Sequence, residues 1–409
     1  MMGQGGSSSL TVDSHASTLA HLPRPTAPRA FRVPAHEPSP VTSQRASRWG
    51  EPPWHIEFAP QPRALPEEVD IAIIGGGFTG LATAAWLRHK APEKTVALLE
   101  AGKVGSGASG RTGGMALAET AAGDLPGLGD VLGGFSNILR ELAVECDLSL
   151  PGAWEIGHSG GLANSPVDWQ DSGRLRVVRE VPGGTIDAGK LVSGLAGAAE
   201  RLGAVIHEWT AVNSVAFEES VRLELPESSV RARKVVFATN ALALGLSGLA
   251  ERAEPKFTLA VATEPVAAGV LESIGLRERK PFYTVDLPYL WGRVLADNSI
   301  IWGAGLVHLK DWREFMLLDI ASGQAAELIA AVEKRVRGLH PELRSIQFTH
   351  RWGGPILVAD SWRPVFARHP RSTNAIVLGA YAGHGVAQSV YLGCWAAEAL
   401  LGQRELPPW

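Results

Sequence analysis

The sequence predicts an α/β fold built on a parallel sheet. A short apolar run, residues 71–74, has the length and composition of a buried parallel strand. It leads directly into a glycine-rich turn at residues 75–80, and residues 81–90, rich in Ala and Leu, then have the composition of a helix. A second apolar run, residues 95–99, ends in Glu100. Strand, glycine turn, helix and strand follow one another as in a Rossmann-like βαβ unit.

Each glycine of this turn has its own role in the Rossmann-like interpretation. Gly75 permits the tight turn, Gly77 lets the backbone approach a pyrophosphate, and Gly80 lets the helix pack close to the strand. The phosphates of a dinucleotide would accept hydrogen bonds from free N–H groups at the positive end of the helix. Glycine makes up 46 of the 409 residues, so the alternative is a glycine-rich loop of another α/β fold.

Glu100 supports the dinucleotide interpretation. It lies twenty residues beyond Gly80, where a carboxylate accepts hydrogen bonds from the ribose hydroxyls of adenosine. Because no arginine takes its place, the sequence argues against a 2′-phosphate and hence against NADP. FAD and NAD share this fingerprint, so the choice between them depends on the motifs that follow.

A second glycine-rich segment follows Glu100, where residues 105–114 read Gly-Ser-Gly-Ala-Ser-Gly-Arg-Thr-Gly-Gly. Here the chain resembles the D-amino-acid oxidase superfamily of FAD-dependent oxidoreductases, in the branch that includes sarcosine, glycine and gamma-glutamylputrescine oxidases. That branch usually carries Asn at the position of Thr112. Threonine keeps a hydrogen-bonding group but lacks the amide, so contacts with the flavin edge are expected to differ at this residue.

The resemblance recurs along most of the chain. The matching stretches are residues 183–187 at the entry to a helix, 204–207 and 211–215 as strands near the adenine, 234–237 as a buried strand, 238–241 as a second pyrophosphate-side turn, and 381–386 as the C-terminal flavin motif. A helix from about residue 387 to residue 401 follows the last of these. Its N-terminus would face the pyrimidine ring and stabilise the negative charge that develops there when the flavin is reduced.

The resemblance implies FAD as the cofactor and assigns its binding to residues of all these motifs. These residues are Gly75, Gly77, Phe78, Thr79, Gly80, Glu100, Ala101, Ser106, Gly107, Ala108, Ser109, Arg111, Thr112, Gly113, Gly114, Met115, Val212, Ala238, Thr239, Asn240, Gly383, His384, Gly385 and Val386. We expect noncovalent attachment, since the cysteine nearest to a cofactor motif, Cys394, lies deep in the last helix. The alternative, a nicotinamide-dependent dehydrogenase, leaves the motif at residues 383–386 unexplained.

Two interleaved domains and a tail are predicted. The Rossmann-like FAD-binding domain takes residues 66–130, 184–256 and 350–409, and a mixed-sheet substrate domain takes residues 131–183 and 257–349. Segments that alternate between apolar and polar residues place the substrate sheet there. Residues 1–65, rich in Pro, Ser, Thr and Ala, are predicted to be a disordered tail, because they bury too little apolar surface to offset the entropy of ordering.

Four residues are candidates for contact with the substrate or with the reacting part of the flavin: Arg293, Trp291, His350 and His384. Alternation places Trp291 and Arg293 on one face of a strand, and in the family an Arg near this position sometimes holds a substrate carboxylate. The alternatives are a surface ion pair for Arg293, core packing for Trp291, and a structural His384 bonded to a backbone carbonyl. His350 and Arg351 point to opposite faces of a regular strand, so at most one faces the flavin.

The resemblance implies oxidation of the C–N bond of a small amine or amino acid, by hydride transfer to flavin N5. The imine then hydrolyses, and O2 reoxidises the flavin to give H2O2. Such a transfer depends mainly on proximity and a desolvated pocket and requires no dedicated general base. One alternative is a dehydrogenase that passes electrons to a quinone or another carrier. The other is a non-catalytic FAD-binding protein, which the shortened region between Gly114 and Gly183 keeps open.

Composition excludes several other classes of protein. The formal net charge of −4 gives no electrostatic case for binding nucleic acid, and no apolar run has the length of a membrane span. The two cysteines exclude a disulfide framework, and without the pattern of a secretory signal they favour a cytoplasmic enzyme. No closely spaced set of Cys or His predicts a metal site. An oligomer is compatible with the sequence.

Overall fold

The structure is a computed structural model that describes residues 48–409. The strands, in chain order, are β1 (Glu68–Ile74), β2 (Val96–Leu99), β3 (Met115–Leu117), β4 (Ala153–Gly157), β5 (Asp168–Gln170), β6 (Arg174–Val181), β7 (Gly183–Thr185), β8 (Val205–His207), β9 (Ser214–Phe217), β10 (Val221–Glu224), β11 (Ser229–Phe237), β12 (Ala253–Thr263), β13 (Phe282–Thr284), β14 (Leu290–Val294), β15 (Ile300–His308), β16 (Phe348–Ala359), β17 (Val365–His369) and β18 (Ser372–Gly379). The α-helices are α1 (Phe78–Lys90), α2 (Val131–Glu141), α3 (Ala188–Arg201), α4 (Leu244–Ser247), α5 (Ala268–Ser273), α6 (Gly323–Leu339) and α7 (Gly385–Leu400).

The first large sheet has the strand order β17-β18-β11-β1-β2-β8, with β9 and β10 added beside β11. Its central pairings, β1 with β2, β1 with β11, β2 with β8 and β11 with β18, are parallel, as predicted. Ile71 and Ile73 pack into a core with the helices, whereas Ala72 and Ile74 pack into a second core shared with the other sheet. Burial on both faces explains why this strand is an unbroken apolar run.

The second large sheet has the order β16-β12-β15-β14-β13-β4-β6-β5. Only β13 and β4 pair in parallel in this sheet, and the other pairings are antiparallel, so the sheet is mixed, as predicted. Its strands come from two separate stretches of chain, residues 153–181 and 253–359. Strands β12 and β16 extend across the predicted boundaries at residues 256 and 350, and the domain boundaries themselves stay a prediction.

The N-terminal arm of the described chain packs on the body. Trp49 is buried, and its indole N–H donates to the carbonyl of Phe315 at 3.1 Å. Trp54 is also buried, donates to the carbonyl of Gly110 at 2.8 Å, and meets the ring of Trp352 edge-on at 5.6 Å. Part of the predicted tail, residues 48–65, therefore packs on the body, because Trp49 and Trp54 anchor the arm. The remainder of that predicted tail, residues 1–47, lies outside the described residues.

Among residues 48–409, no helix has both the length and the apolar character needed to cross a membrane. The two cysteines, Cys146 and Cys394, are both buried and form no disulfide.

Replacing Trp54 tests whether the arm contributes to stability. We expect Trp54→Ala to lower the free energy of unfolding by about 3–5 kcal/mol, because it removes a buried indole and its hydrogen bond. Equilibrium unfolding in urea, followed by circular dichroism, measures the change. Leu317→Ala is the control, since that side chain is 79% exposed. Equal effects of the two substitutions would contradict a stabilising role for the arm.

Candidate active site

The site begins with close packing between α1 and α7. The hydroxyl of Thr83 donates to the carbonyl of Gly393 at 2.9 Å, and a Cβ at Gly393 would lie 2.7 Å from the carbonyl oxygen of Thr79. Only glycine permits this approach. Next to the helix starts, the hydroxyls of Thr79 and Tyr381 are hydrogen-bonded at 2.8 Å, in buried surroundings. The two helices, distant in sequence, thus begin beside each other.

Both helix N-termini are open to a ligand. The N-caps are Gly77 for α1 and His384 for α7, and neither makes a side-chain cap hydrogen bond. The N–H of Phe78 donates to the hydroxyl of Ser109 at 2.9 Å. The remaining first-turn N–H groups, together with the helix dipoles, form two anion-binding ends.

Two glycines of the first turn have the roles that the sequence predicts. Gly75 has a φ of +111°, and a Cβ there would lie 2.6 Å from the carbonyl oxygen of Ala238. A Cβ at Gly80 would lie 2.0 Å from the carbonyl oxygen of Gly75, so this residue is needed for close packing of helix and turn. Gly77 differs, because the nearest atom to a Cβ there is the hydroxyl of Ser109, at 2.8 Å.

The carboxylate of Glu100 is fixed at the end of β2. One oxygen accepts a hydrogen bond from the N–H of Gly76 at 2.7 Å, and the other accepts from the N–H of Gly102 at 2.8 Å. At this location the carboxylate lies where the ribose hydroxyls of a dinucleotide would bind. The glycine turn and the carboxylate therefore hold each other in place.

A cavity of about 940 Å³ extends from the glycine turn to the second sheet. All but three of the predicted cofactor-binding residues line it, the exceptions being Gly80, Ser106 and Gly114. Gly80 lies in the first turn of α1 and packs against Gly75, Ser106 belongs to an exposed turn closed on Lys103, and Gly114 is covered by Arg293. The cavity wall also contains Thr239, whose buried hydroxyl has no hydrogen-bond partner among the described residues. The open helix ends and this hydroxyl fit a dinucleotide.

Arg111 joins the cavity to the N-terminal arm. Its guanidinium donates to the carbonyls of Gly50 at 2.7 Å and Gly353 at 3.2 Å, and burial lowers its pKa to about 10. Trp352 is buried, and its indole N–H donates to the carbonyl of Arg111 at 2.9 Å. These hydrogen bonds fix the segment around Arg111 against β16, the edge strand of the second sheet.

His384 lines the cavity at the N-terminus of α7. Its Nδ1 lies 3.3 Å from the carbonyl oxygen of Ala382. Since a carbonyl only accepts, Nδ1 carries the proton and Nε2 is left as an acceptor. Burial lowers the pKa of the imidazole, so the ring is neutral at pH 7. The geometry thus supports the alternative in which His384 is a structural residue bonded to a backbone carbonyl.

Two catalytic candidates do not reach the cavity. His350 bonds to the hydroxyl of Thr349 at 3.0 Å, on a part of β16 that precedes the cavity wall, and Arg351 pairs with Glu333 at 2.6 Å. Arg293 is buried behind Gly114, and burial lowers its pKa to about 10. Burial contradicts a surface ion pair for Arg293, whereas the binding of a substrate carboxylate by this residue stays a prediction.

Trp291 lines the cavity, and its half-buried side chain packs against the first hydrophobic core. A Cβ at Gly113 would lie 2.3 Å from its indole ring, so the ring lies directly against the second glycine-rich segment. Glycine at this position permits the aromatic wall of the second sheet to approach the cofactor motifs.

The sequence analysis missed a row of residues that continues from Trp291 across the second sheet. In the register of the sheet, Trp291 pairs with Tyr283, Tyr283 with Glu155, and Glu155 with Arg179. Glu155 and Tyr283 line the cavity, as does Glu119 just beyond β3. One signal was available in the sequence, a single carboxylate within the otherwise apolar strand β4. The register that joins four strands was not available.

Other chemistries find no support in the described part of the chain. No group of three or more His, Cys, Asp or Glu residues there could hold a metal ion. Neither cysteine lines the cavity, and burial raises the pKa of the Cys146 thiol to about 12.

The fold and the cavity define a dinucleotide-binding α/β protein, and comparison with known families makes this more specific. The profile of the family described as FAD dependent oxidoreductase, or DAO, matches residues 70–399. The chain belongs to this family. It is an enzyme, an oxidoreductase that uses FAD.

Individual relatives agree with this assignment. Gamma-glutamylputrescine oxidoreductase of Escherichia coli strain K12 is 26% identical over 382 residues, which cover 82% of this chain and 84% of that protein. Glycine oxidase from Geobacillus kaustophilus has a TM-score of 0.65 at 19% identity, covering 83% and 96% of the two chains. L-Amino acid deaminase from Proteus myxofaciens has a TM-score of 0.66 at 16% identity, covering 86% and 94%. The two structural likenesses show a shared fold.

Replacing Glu100 tests its role in cofactor binding. We expect Glu100→Gln to weaken FAD binding by about 10- to 100-fold, because the amide presents a donor where the carboxylate accepted from backbone N–H groups. The dissociation constant is measured by fluorescence titration of the apoprotein with FAD. Glu227→Gln, on an exposed turn, is the control. Unchanged affinity in Glu100→Gln would remove this carboxylate from the site.

The neutral His384 predicts a dependence of stability on pH. Its folded-state pKa lies below the unfolded value of 6.5, so below pH 6.5 the unfolded chain binds a proton that the folded chain does not. As the pH is lowered below 6.5, the free energy of unfolding should therefore fall, and this group contributes at most about 1.4 kcal/mol per pH unit to the fall. We expect a shallower fall in His384→Asn, measured by urea unfolding of the holoenzyme between pH 7 and pH 5. Parallel curves for the two proteins would contradict a buried neutral imidazole.

Proposed function

We propose that this enzyme oxidises the C–N bond of an amine or amino acid, with hydrolysis of the resulting imine. Membership of the FAD-dependent family supports the redox chemistry. The names of its relatives, among them a gamma-glutamylputrescine oxidoreductase, a glycine oxidase and an L-proline dehydrogenase, support the substrate class.

The observation that carries the proposal is one continuous cavity with two kinds of wall. One wall holds the open N-termini of α1 and α7, together with Glu100 and Thr239, and would bind the dinucleotide. The other wall is the face of the second sheet, where Trp291 and Tyr283 lie next to the cofactor motifs. A substrate against this wall would lie directly beside the flavin.

FAD, when bound, would supply the redox chemistry, as acceptor of a hydride from the carbon that bears nitrogen and as donor of electrons to O2 or another acceptor. The indole of Trp291, against Gly113 and backed by the buried core of β14 and β15, would exclude water from the space beside the flavin. The dipole of α7 stabilises negative charge at its N-terminus. His384 stays neutral there and adds no positive charge of its own. These contributions are proximity, desolvation and electrostatics, and none of them requires a general base.

The proposal also covers the attachment of FAD, the electron acceptor and the location of the enzyme. FAD is bound noncovalently, since both cysteines are buried away from the cavity. O2 is the acceptor that reoxidises the enzyme, giving H2O2. The enzyme works in the cytoplasm, in keeping with its two cysteines, which form no disulfide.

Anaerobic mixing with candidate substrates tests the proposal. We expect one class of compound among amines, N-methyl amino acids and D-amino acids to bleach the flavin absorbance of the purified enzyme, because electrons pass from the C–N bond to the cofactor. Admission of air should restore the spectrum and release H2O2. The matched hydrocarbon or alcohol, which lacks nitrogen, is the control. Bleaching by the alcohol but by no amine would contradict the proposal, and slow recovery in air would favour a carrier over O2.

A further inference from the structure

The row of side chains that crosses the second sheet connects the cofactor motifs to a charged end of the cavity. Trp291 lies against Gly113, and the paired positions Tyr283 and Glu155 follow on the next two strands. Neighbouring strands are about 4.8 Å apart, so the backbones of Trp291 and Glu155 are separated by roughly 10 Å. Both residues line the same cavity. Glu155 therefore lies too far from the cofactor motifs to contact the reacting carbon and close enough to contact the far end of the same molecule.

The carboxylate of Glu155 is oriented and held in its charged form. Arg179 donates two hydrogen bonds to it, from Nε at 2.9 Å and from Nη2 at 2.7 Å, and the hydroxyl of Tyr283 donates a third at 2.8 Å. The guanidinium is the main reason why the pKa of Glu155 lies below its usual range. Burial is the main reason why the pKa of Tyr283 is raised, so this hydroxyl remains a donor. One lone-pair position of the carboxylate remains for a donor in the cavity.

Glu119 adds a second carboxylate at this end. Its backbone carbonyl accepts a hydrogen bond from Nε2 of Gln388 on α7 at 2.7 Å, which fixes this segment to the helix that begins at the cofactor. Its carboxylate oxygen lies 3.7 Å from Nη2 of Arg179, an ion pair without a hydrogen bond, and the side chain is 32% exposed along the cavity. Two carboxylates thus share one guanidinium, and this end of the cavity has a net charge of −1.

The basic groups of the cavity wall do not neutralise this charge. On strands β4, β13 and β14 of the described chain, no Lys or Arg lines the cavity. Lys256 lines it on β12, beyond β14 and β15, and pairs with Glu254 at 3.5 Å. Arg111 is directed to backbone carbonyls, and Arg293 lies behind Gly114. This end of the cavity is therefore complementary to a cation and repels a carboxylate.

We propose that the substrate carries a second, cationic group at its far end, which Glu119 and Glu155 bind while the reacting C–N bond lies beside Trp291. This inference rests on the proposed oxidation of a C–N bond and makes it more specific. Of the two substrate classes, it selects α,ω-diamines and related chains with a distal ammonium over amino acids whose carboxylate would have to face these residues. Glu119 and Glu155 are specificity-determining residues, and Arg179 and Tyr283 are positioning residues for Glu155.

Paired ligands test this inference without turnover. Anaerobic isothermal titration calorimetry of the holoenzyme compares linear α,ω-diamines of increasing length with monoamines of the same carbon count. We expect the best diamine to bind about 10- to 100-fold more tightly than its monoamine, because only the diamine makes a charge-assisted contact at the far end. Glu119→Gln and Glu155→Gln should each lose most of this preference, because the affinity for the diamine falls towards that for its monoamine. In the double variant, Arg179 remains as an unneutralised cation, so an ω-amino carboxylate should now bind more tightly than the diamine.

Glu180→Gln is the matched control, since Glu180 lies next to Arg179 on β6 but pairs with Lys280 outside the cavity. It should keep the wild-type preference. Equal affinities of diamine and monoamine for the wild type, no binding of any diamine at millimolar concentration, or preference retained in both cavity variants would each overturn the inference. Bleaching of the flavin reports the proposed oxidation separately, so failure of oxidation and failure of cation binding are distinguishable.

Discussion

The close packing of α1 on α7 is the constraint on which the rest of the site depends. A carbonyl of one helix approaches a glycine of the other, and the hydrogen bond between Thr79 and Tyr381 joins the first turn of α1 to the loop that precedes α7. Because these helices follow parallel strands of one sheet, their N-termini open at the same edge. Two positive helix ends, more than 300 residues apart in the chain, thus meet in one cavity. The glycine turn and Glu100 complete this edge.

The second sheet forms the other wall of the cavity, on which the substrate would bind. It contacts the cofactor motifs through glycines, most directly where Gly113 meets the ring of Trp291. Its strand register places an aromatic ring, a phenol, a carboxylate and a guanidinium in one row, and the first three of these line the cavity. The pairing of Glu155 with Arg179 is only partly exposed, so its cost in desolvation is moderate while its orienting effect is retained.

Much of the cofactor side could be predicted from the sequence, because its parts are local. The strand, glycine turn, helix and carboxylate of residues 71–100 lie within thirty residues, and glycine spacing has a direct steric meaning. The motif at residues 383–386 was found in the same way.

The substrate side depends on contacts between distant residues and was predicted less well. The alternation of residues placed Trp291 and Arg293 on one face of the strand. It could not show that Gly114 lies over Arg293 and separates it from the cavity. His350 precedes the cavity wall by two residues, a distinction that needs the course of β16. Glu155 became a candidate only once its partner strands were known.

A crystal structure of the enzyme with FAD would show whether α1, α7 and Trp291 together form the cofactor site. We expect the pyrophosphate within hydrogen-bond distance of the first-turn N–H groups of α1, and the adenosine ribose at Glu100. We also expect the flavin ring between the N-terminus of α7 and Trp291, with Glu155 facing the space beyond the ring. A flavin ring bound away from α7, or one that fills the space beside Glu155 and leaves no room for a substrate, would contradict this arrangement.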